Sequence, residues 1–138
     1  MVRSGVEKVK IVDKGVLKFH HLTSNAFANL EDVGYSKVSV VDYYLKHISK
    51  YCKVETHDTR LTSENVKKII GGSEKIDFLV DCCDNIETKT LLIKYCLENN
   101  IKMITVGDQR LKTDFSKVQI RDLNQVVYDP ILNVVRIR

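Results

Sequence analysis

Residues Asp81-Cys82-Cys83-Asp84-Asn85 follow the apolar run 76–80 and lead into a helical pattern. This places two carboxylates and an amide at the carboxyl end of a buried strand. In an open parallel α/β sheet, ligands bind at that edge. One or two protein carboxylates are what Mg²⁺ takes when a nucleotide's phosphates supply its other ligands. Asp13 ends a second short apolar strand, Val-Lys-Ile-Val-Asp at 9–13. An acid there can accept hydrogen bonds from ribose hydroxyls; it can equally be a solvated strand end. Lys37 follows Gly34-Tyr35-Ser36 and opens a helix, where the macrodipole disfavours a cation. An anionic ligand would resolve that mismatch, because helix starts also bind phosphate. A surface lysine is the plainer alternative.

The same residues carry structural readings. Asp84, with Glu87 three positions on, reads as a helix N-cap with its capping-box partner. The four cysteines include no Cys-x-x-Cys pair, so neither a zinc ribbon nor a thioredoxin-type motif is supported. Cys83 precedes a helix start, one of the places where a thiol pKa can be lowered, whereas Cys96 reads as core. His20 and His21 are neighbours that face different ways, and no third ligand of suitable spacing accompanies them as a zinc site needs.

The elements that must position these residues follow from apolar periodicity. Strands are predicted over Lys8–Val12, Lys53–His57, 77–82, 102–106, 117–121 and 133–138. Val38, Val41, Leu45 and Ile48 form one helical stripe. Val66, Ile69 and Ile70 mark a shorter helix that starts near Thr62 or Ser63 and stops at Gly71-Gly72. Leu91, Leu92, Tyr95 and Cys96 mark a third, ending near Asn99-Asn100. Alternating strand and helix implies a Rossmann-like, mostly parallel α/β sheet, with Pro130 breaking the last connection and an antiparallel strand pair closing the sheet. Residues 1–138 read as one domain. With 43% hydrophobic and 29% charged residues, and no run of the ~18 apolar residues that a membrane span needs, the chain reads as globular. A net charge of +4 spread along the sequence permits an RNA partner without arguing for one. No targeting signal is visible at the N-terminus, so a cytoplasmic location is expected, with the mitochondrial surface as the alternative.

Taken in order, Val12-Asp13, Asn29-Leu30-Glu31-Asp32-Val33-Gly34-Tyr35-Ser36-Lys37 and Asp81-Cys82-Cys83-Asp84-Asn85-Ile86-Glu87-Thr88-Lys89 resemble the ubiquitin-activating-type adenylating enzymes of the ThiF class. Within that class the chain looks most like the tRNA threonylcarbamoyladenosine dehydratases. The resemblance implies ATP and Mg²⁺ as cofactors. Asp13 would bind the ribose, Lys37 the ATP phosphates and Asp84 the Mg²⁺, with Asn85 supporting its turn. A substrate carboxylate would attack the α-phosphate, and in the dehydratases the resulting adenylate of the tRNA base cyclises. The partners implied are tRNA and a homodimer or an intact paralogue, with no DNA and no membrane span.

The chain also departs from the pattern. A glycine-rich loop is expected about twenty residues before the ribose acid, and counting back from Asp13 passes Met1. The expected sheet therefore lacks its first strand and that loop. Gly15 stands where a second acid is expected, and Thr23-Ser24 stand where Asn-Arg is expected. The turn after the fourth strand reads Gly107-Asp108-Gln109-Arg110 rather than a Gly-Ala-rich one. Two readings follow: a diverged or partial dehydratase, or an inactive relative kept as a binding or regulatory partner. A nicotinamide-dependent half-domain is a third, disfavoured because it gives Asp84-Asn85 no role.

Overall fold

Four of the predicted strands form among the described residues, in two parallel pairs, each joined across a helix. The computed structural model of the chain describes residues 1–72, 74–108 and 113–137. They divide into two compact units, Met1–Leu61 and Thr62–Arg138.

In the first unit, β1 (Lys8–Val12) pairs in parallel with β2 (Lys53–His57), Lys8 opposite Lys53 through Val12 opposite His57. A parallel pair needs a long crossover, and α1 (Lys37–Ile48) supplies it. Lys10 and Glu55 face each other across the ladder, and their side chains meet at 3.2 Å. The Ser36 hydroxyl starts α1 by accepting the Ser39 N–H, a standard N-cap. Val38 and Leu45 of the predicted stripe are buried, whereas Val41 and Ile48 are half-buried. Val40, outside that stripe, is 5% exposed. The helix packs on both β2 and the 3₁₀ turn Val2–Ser4.

In the second unit, β3 (Phe78–Asp81) pairs in parallel with β4 (Lys102–Thr105) across α3 (Ile86–Glu98). Leu79 and Asp81 point inward, while Phe78 and Val80 remain 50% and 42% exposed. One face of β3 is thus covered and the other is open. Leu92, Tyr95 and Cys96 anchor α3 in the core. The helix ends at Asn99, with Asn100 at φ 52°, a left-handed position that asparagine tolerates. The short α2 (Val66–Ile69) ends before Gly71, where the Tyr95 hydroxyl occupies the space a Cβ would need.

The carboxyl-terminal part corrects the sequence reading, because the antiparallel strand pair does not form. Residues 133–137 lie within α4 (Pro130–Ile137), which packs on α3; Arg138 is outside the described residues. Pro130 takes the first helical position, where its missing N–H costs nothing. The Asp129 carboxylate accepts the Leu132 N–H at 2.9 Å. Ile131, Leu132 and Val135 are buried at helical spacing, and the intervening β-branched residues had masked that period. The predicted strand over 117–121 is irregular chain after the 3₁₀ turn Phe115–Lys117, with Val118 and Ile120 exposed. Among the described residues those side chains have no partner strand to alternate against. Gln109 and Arg110 lie outside the described residues.

Candidate functional site

The first unit gathers residues far apart in sequence into one open cleft. The chain leaves β1 at Asp13, whose N–H extends the ladder to the His57 carbonyl at 3.2 Å. It then makes a long excursion and returns at Lys37. Three backbone bonds zip the two arms: Leu17 N–H to Tyr35 O, Gly34 N–H to Leu17 O, and Lys37 N–H to Gly15 O, at 2.8, 2.9 and 2.8 Å. Leu17, only 1% exposed, pins the zip to the core. Gly34 sits at φ 98°, the left-handed geometry this reversal requires. Asp32 stabilises the excursion by accepting the Asn29 N–H at 2.7 Å and the Tyr44 hydroxyl at 3.0 Å. The Leu-Glu-Asp-Val-Gly segment thus builds the turn that returns the chain to Lys37.

Between these arms lies a cavity of about 410 Å³, lined by Asp13, His21, Ser24, Phe27, Lys37 and the α1 valines among others. That volume falls within the usual range of small-molecule sites. Gly15 lies against two side chains of the cleft, Asp13 and Lys37. Its N–H donates to Asp13 Oδ1 at 2.6 Å, and a Cβ there would meet Asp13 Oδ1 at 2.8 Å and Lys37 Cδ at 2.9 Å. The departure at position 15 is thus a close approach of backbone to two site side chains. Ser24 lines the cleft without charge, and Lys37 is a cation at its wall.

Asp84 and Asn85 stand in the second unit, at the carboxyl end of β3. Both are exposed. The cap of α3 is Asn85, whose Oδ1 accepts the Thr88 N–H at 2.9 Å; the expectation that Asp84 caps the helix is corrected by one residue. That shift leaves the Asp84 carboxylate without a hydrogen bond among the described residues. Such an exposed acid fits Mg²⁺, which needs few protein ligands when phosphates complete its shell. The described residues hold no cluster of three or more acidic, histidine or cysteine groups for an all-protein cage.

Sequence reasoning missed the roles of two residues that it had named. Lys89 is 0% exposed, and its ammonium donates to Asp81 Oδ2 at 2.7 Å, Thr105 Oγ1 at 2.9 Å and the Val106 carbonyl at 3.0 Å. Asp81 Oδ1 accepts the Cys83 N–H at 2.8 Å. Burial alone would raise the Asp81 pKa; the Lys89, Thr105 and Cys83 bonds outweigh it and hold the carboxyl below its ordinary range. The lysine's spacing, eight residues after Asp81 on the face of α3 that meets β3, was the available signal. Cys83 is not the activated thiol its position suggested. Burial and the neighbouring Asp81 carboxylate push it up to about 12, so it stays protonated at neutral pH. The second missed residue is His21, which lines the cleft. Loss of solvent, then the charges of Lys37, His20 and Lys18, lower its pKa, with Asp13 opposing.

Comparison with known proteins shows the family and the fold. The ThiF family pattern matches residues 1–130. Saccharomyces cerevisiae tRNA threonylcarbamoyladenosine dehydratase 2 is 32% identical over 136 residues, covering 99% of this chain and 30% of that protein. The Haemophilus influenzae tRNA threonylcarbamoyladenosine dehydratase is 30% identical, covering 99% of this chain and 51% of its own length. The crystal structure of the Escherichia coli tRNA N6-threonylcarbamoyladenosine dehydratase in complex with ATP matches with a TM-score of 0.94 at 26% identity, covering 99% of this chain and 56% of that one. The chain spans about a third to a half of the curated relatives it matches.

Proposed function

This chain belongs to the ThiF family, and on that premise we propose that it is the nucleotide-recognising part of an ATP-dependent adenylating enzyme acting on threonylcarbamoyladenosine in tRNA. The observation that carries the reading is the cleft in which the Gly15 backbone holds Asp13 beside Lys37. Asp13 would accept the ribose hydroxyls, Lys37 would neutralise the phosphates, and Asp84 would hold Mg²⁺ on the turn that Asn85 fixes. Bound ATP supplies an electrophilic α-phosphate to the substrate carboxylate; the chain's residues orient it and offset its charge, which is how proteins catalyse phosphoryl chemistry. The tRNA, a homodimer or an intact paralogue would be its partners. No helix among the described residues is long and apolar enough to cross a membrane.

Ser24 favours a second reading, an inactive relative retained as a binding partner. An arginine at that wall would contribute ~1.5–3 kcal/mol through bonds to a charged phosphate, and a serine does not. Calorimetric titration with ATP–Mg²⁺ tests the nucleotide reading. Saturable binding at roughly hundreds of micromolar is expected, abolished in Lys37→Ala and competed by AMP. Binding unaffected by Lys37→Ala, or no binding at all, would overturn it. Cyclisation of threonylcarbamoyladenosine in tRNA, assayed with the chain alone and with candidate partners, separates the two functional readings.

A further inference from the structure

We infer that His21 is a neutral hydrogen-bond donor, through its Nε2–H, to an anionic phosphate oxygen of the ligand in the first unit's cleft. The inference deepens the nucleotide reading and rests on it.

The argument starts from the tautomer. His21 Nδ1 lies 3.0 Å from the Lys18 backbone N–H and accepts from it. A backbone amide can only donate, so Nδ1 must present a lone pair, and the proton of the neutral ring sits on Nε2. With one edge of the ring committed to the backbone, Nε2 is the nitrogen left for the cleft that His21 lines. The residue is also fixed in place. Its N–H donates to Lys18 O at 2.9 Å, and its carbonyl accepts from Ser24 and Asn25 at 3.1 and 2.9 Å. The His20 ring meets it edge-on at 4.2 Å.

Loss of solvent and then the surrounding cations lower the ring's pKa, against Asp13. Lys37 faces it from α1, Lys18 and His20 from its own 3₁₀ turn, and Asp13 from the end of β1. A second proton would have to enter at Nδ1 and would displace the Lys18 amide. With Nδ1 held as an acceptor by the Lys18 amide, His21 is built to donate through Nε2. In a cleft where Ser24 brings no cation, it supplements Lys37 with direction rather than charge.

The test uses the full chain labelled with ¹⁵N, with inorganic pyrophosphate and ATP–Mg²⁺ added separately. Long-range ¹H–¹⁵N spectra at pH 7.5 should show His21 protonated at Nε2 only. Either ligand should shift Nε2 while Nδ1 keeps its acceptor signature. His21→Ala should weaken pyrophosphate binding roughly tenfold, and His21→Gln should restore it, because the glutamine amide offers a neutral donor at similar reach. Circular dichroism of both variants reports the fold, and the wild-type resonances decide if the alanine variant unfolds. A ring protonated at Nδ1 overturns the inference. So does ATP binding that leaves His21 unmoved, while the nucleotide reading survives. A protein that binds neither probe overturns both.

Discussion

Position 15 shows why residue type and residue role must be separated. Read as a substitution, a glycine in place of an acid is a loss. In the structure its N–H binds the Asp13 carboxylate, its carbonyl accepts the Lys37 N–H, and the Lys37 side chain passes 2.9 Å from where a Cβ would be. A Gly15→Ala methyl would push against the ends of two flexible side chains rather than backbone, so the fold should give way at the site and not in the core. ATP–Mg²⁺ affinity should fall roughly tenfold through lost bonds to charged groups, with the melting temperature nearly unchanged. Calorimetry and a thermal scan of one preparation check both halves. A large fall in melting temperature with affinity intact would remove Gly15 from the site.

At the scale of elements, the Asp81–Lys89–Thr105 cluster joins β3, α3 and β4. It holds the strand pair to its crossover helix and, through the Cys83 N–H, fixes the turn that leads to Asp84. Breaking a buried pair by removing one partner costs ~3–5 kcal/mol, because the other charge stays buried. Lys89→Ala should lose about that much in urea unfolding, whereas replacing the pair together, Asp81→Leu with Lys89→Met, should cost less. The same pair gives an acid limb. Because the folded Asp81 carboxyl is held below its ordinary value, its contribution is fully present above the unfolded carboxylate pKa of about 4. It is lost as pH falls through the lower folded value. Wild-type stability should therefore decline below about pH 4, and the decline should be shallower in the double variant.

At the scale of the molecule, two two-stranded parallel sheets leave strand edges to manage. A two-stranded ribbon is marginal on its own, and unsatisfied edges template association. The outward face of β3 adds exposed Phe78 and Val80. The isolated chain should therefore unfold in a concentration-dependent, poorly reversible way, and a partner should stabilise it. Differential scanning calorimetry at several protein concentrations tests this. A reversible transition of a monomer, independent of concentration, would mean that these edges are adequately protected.

The sequence by itself determined the strands Lys8–Val12 and Lys53–His57, the helices near 37–48 and 86–98, and the family-specific order of Asp13, Lys37, Asp84 and Asn85. β-branching, helical periodicity and caps are local and readable from neighbouring residues. It failed at 133–137, where β-branched residues imitate a strand and only the Asp129–Pro130 start and packing on α3 make them a helix. Tertiary structure alone decided the rest. It placed Gly15 against Asp13 and Lys37, buried Lys89 beside Asp81, and put His21 in the cleft with its tautomer set by Lys18. Those placements depend on groups distant in sequence, or on which atom of a ring meets an amide. A one-dimensional pattern records residue types and spacings, whereas charge, proton position and desolvation belong to three-dimensional neighbours.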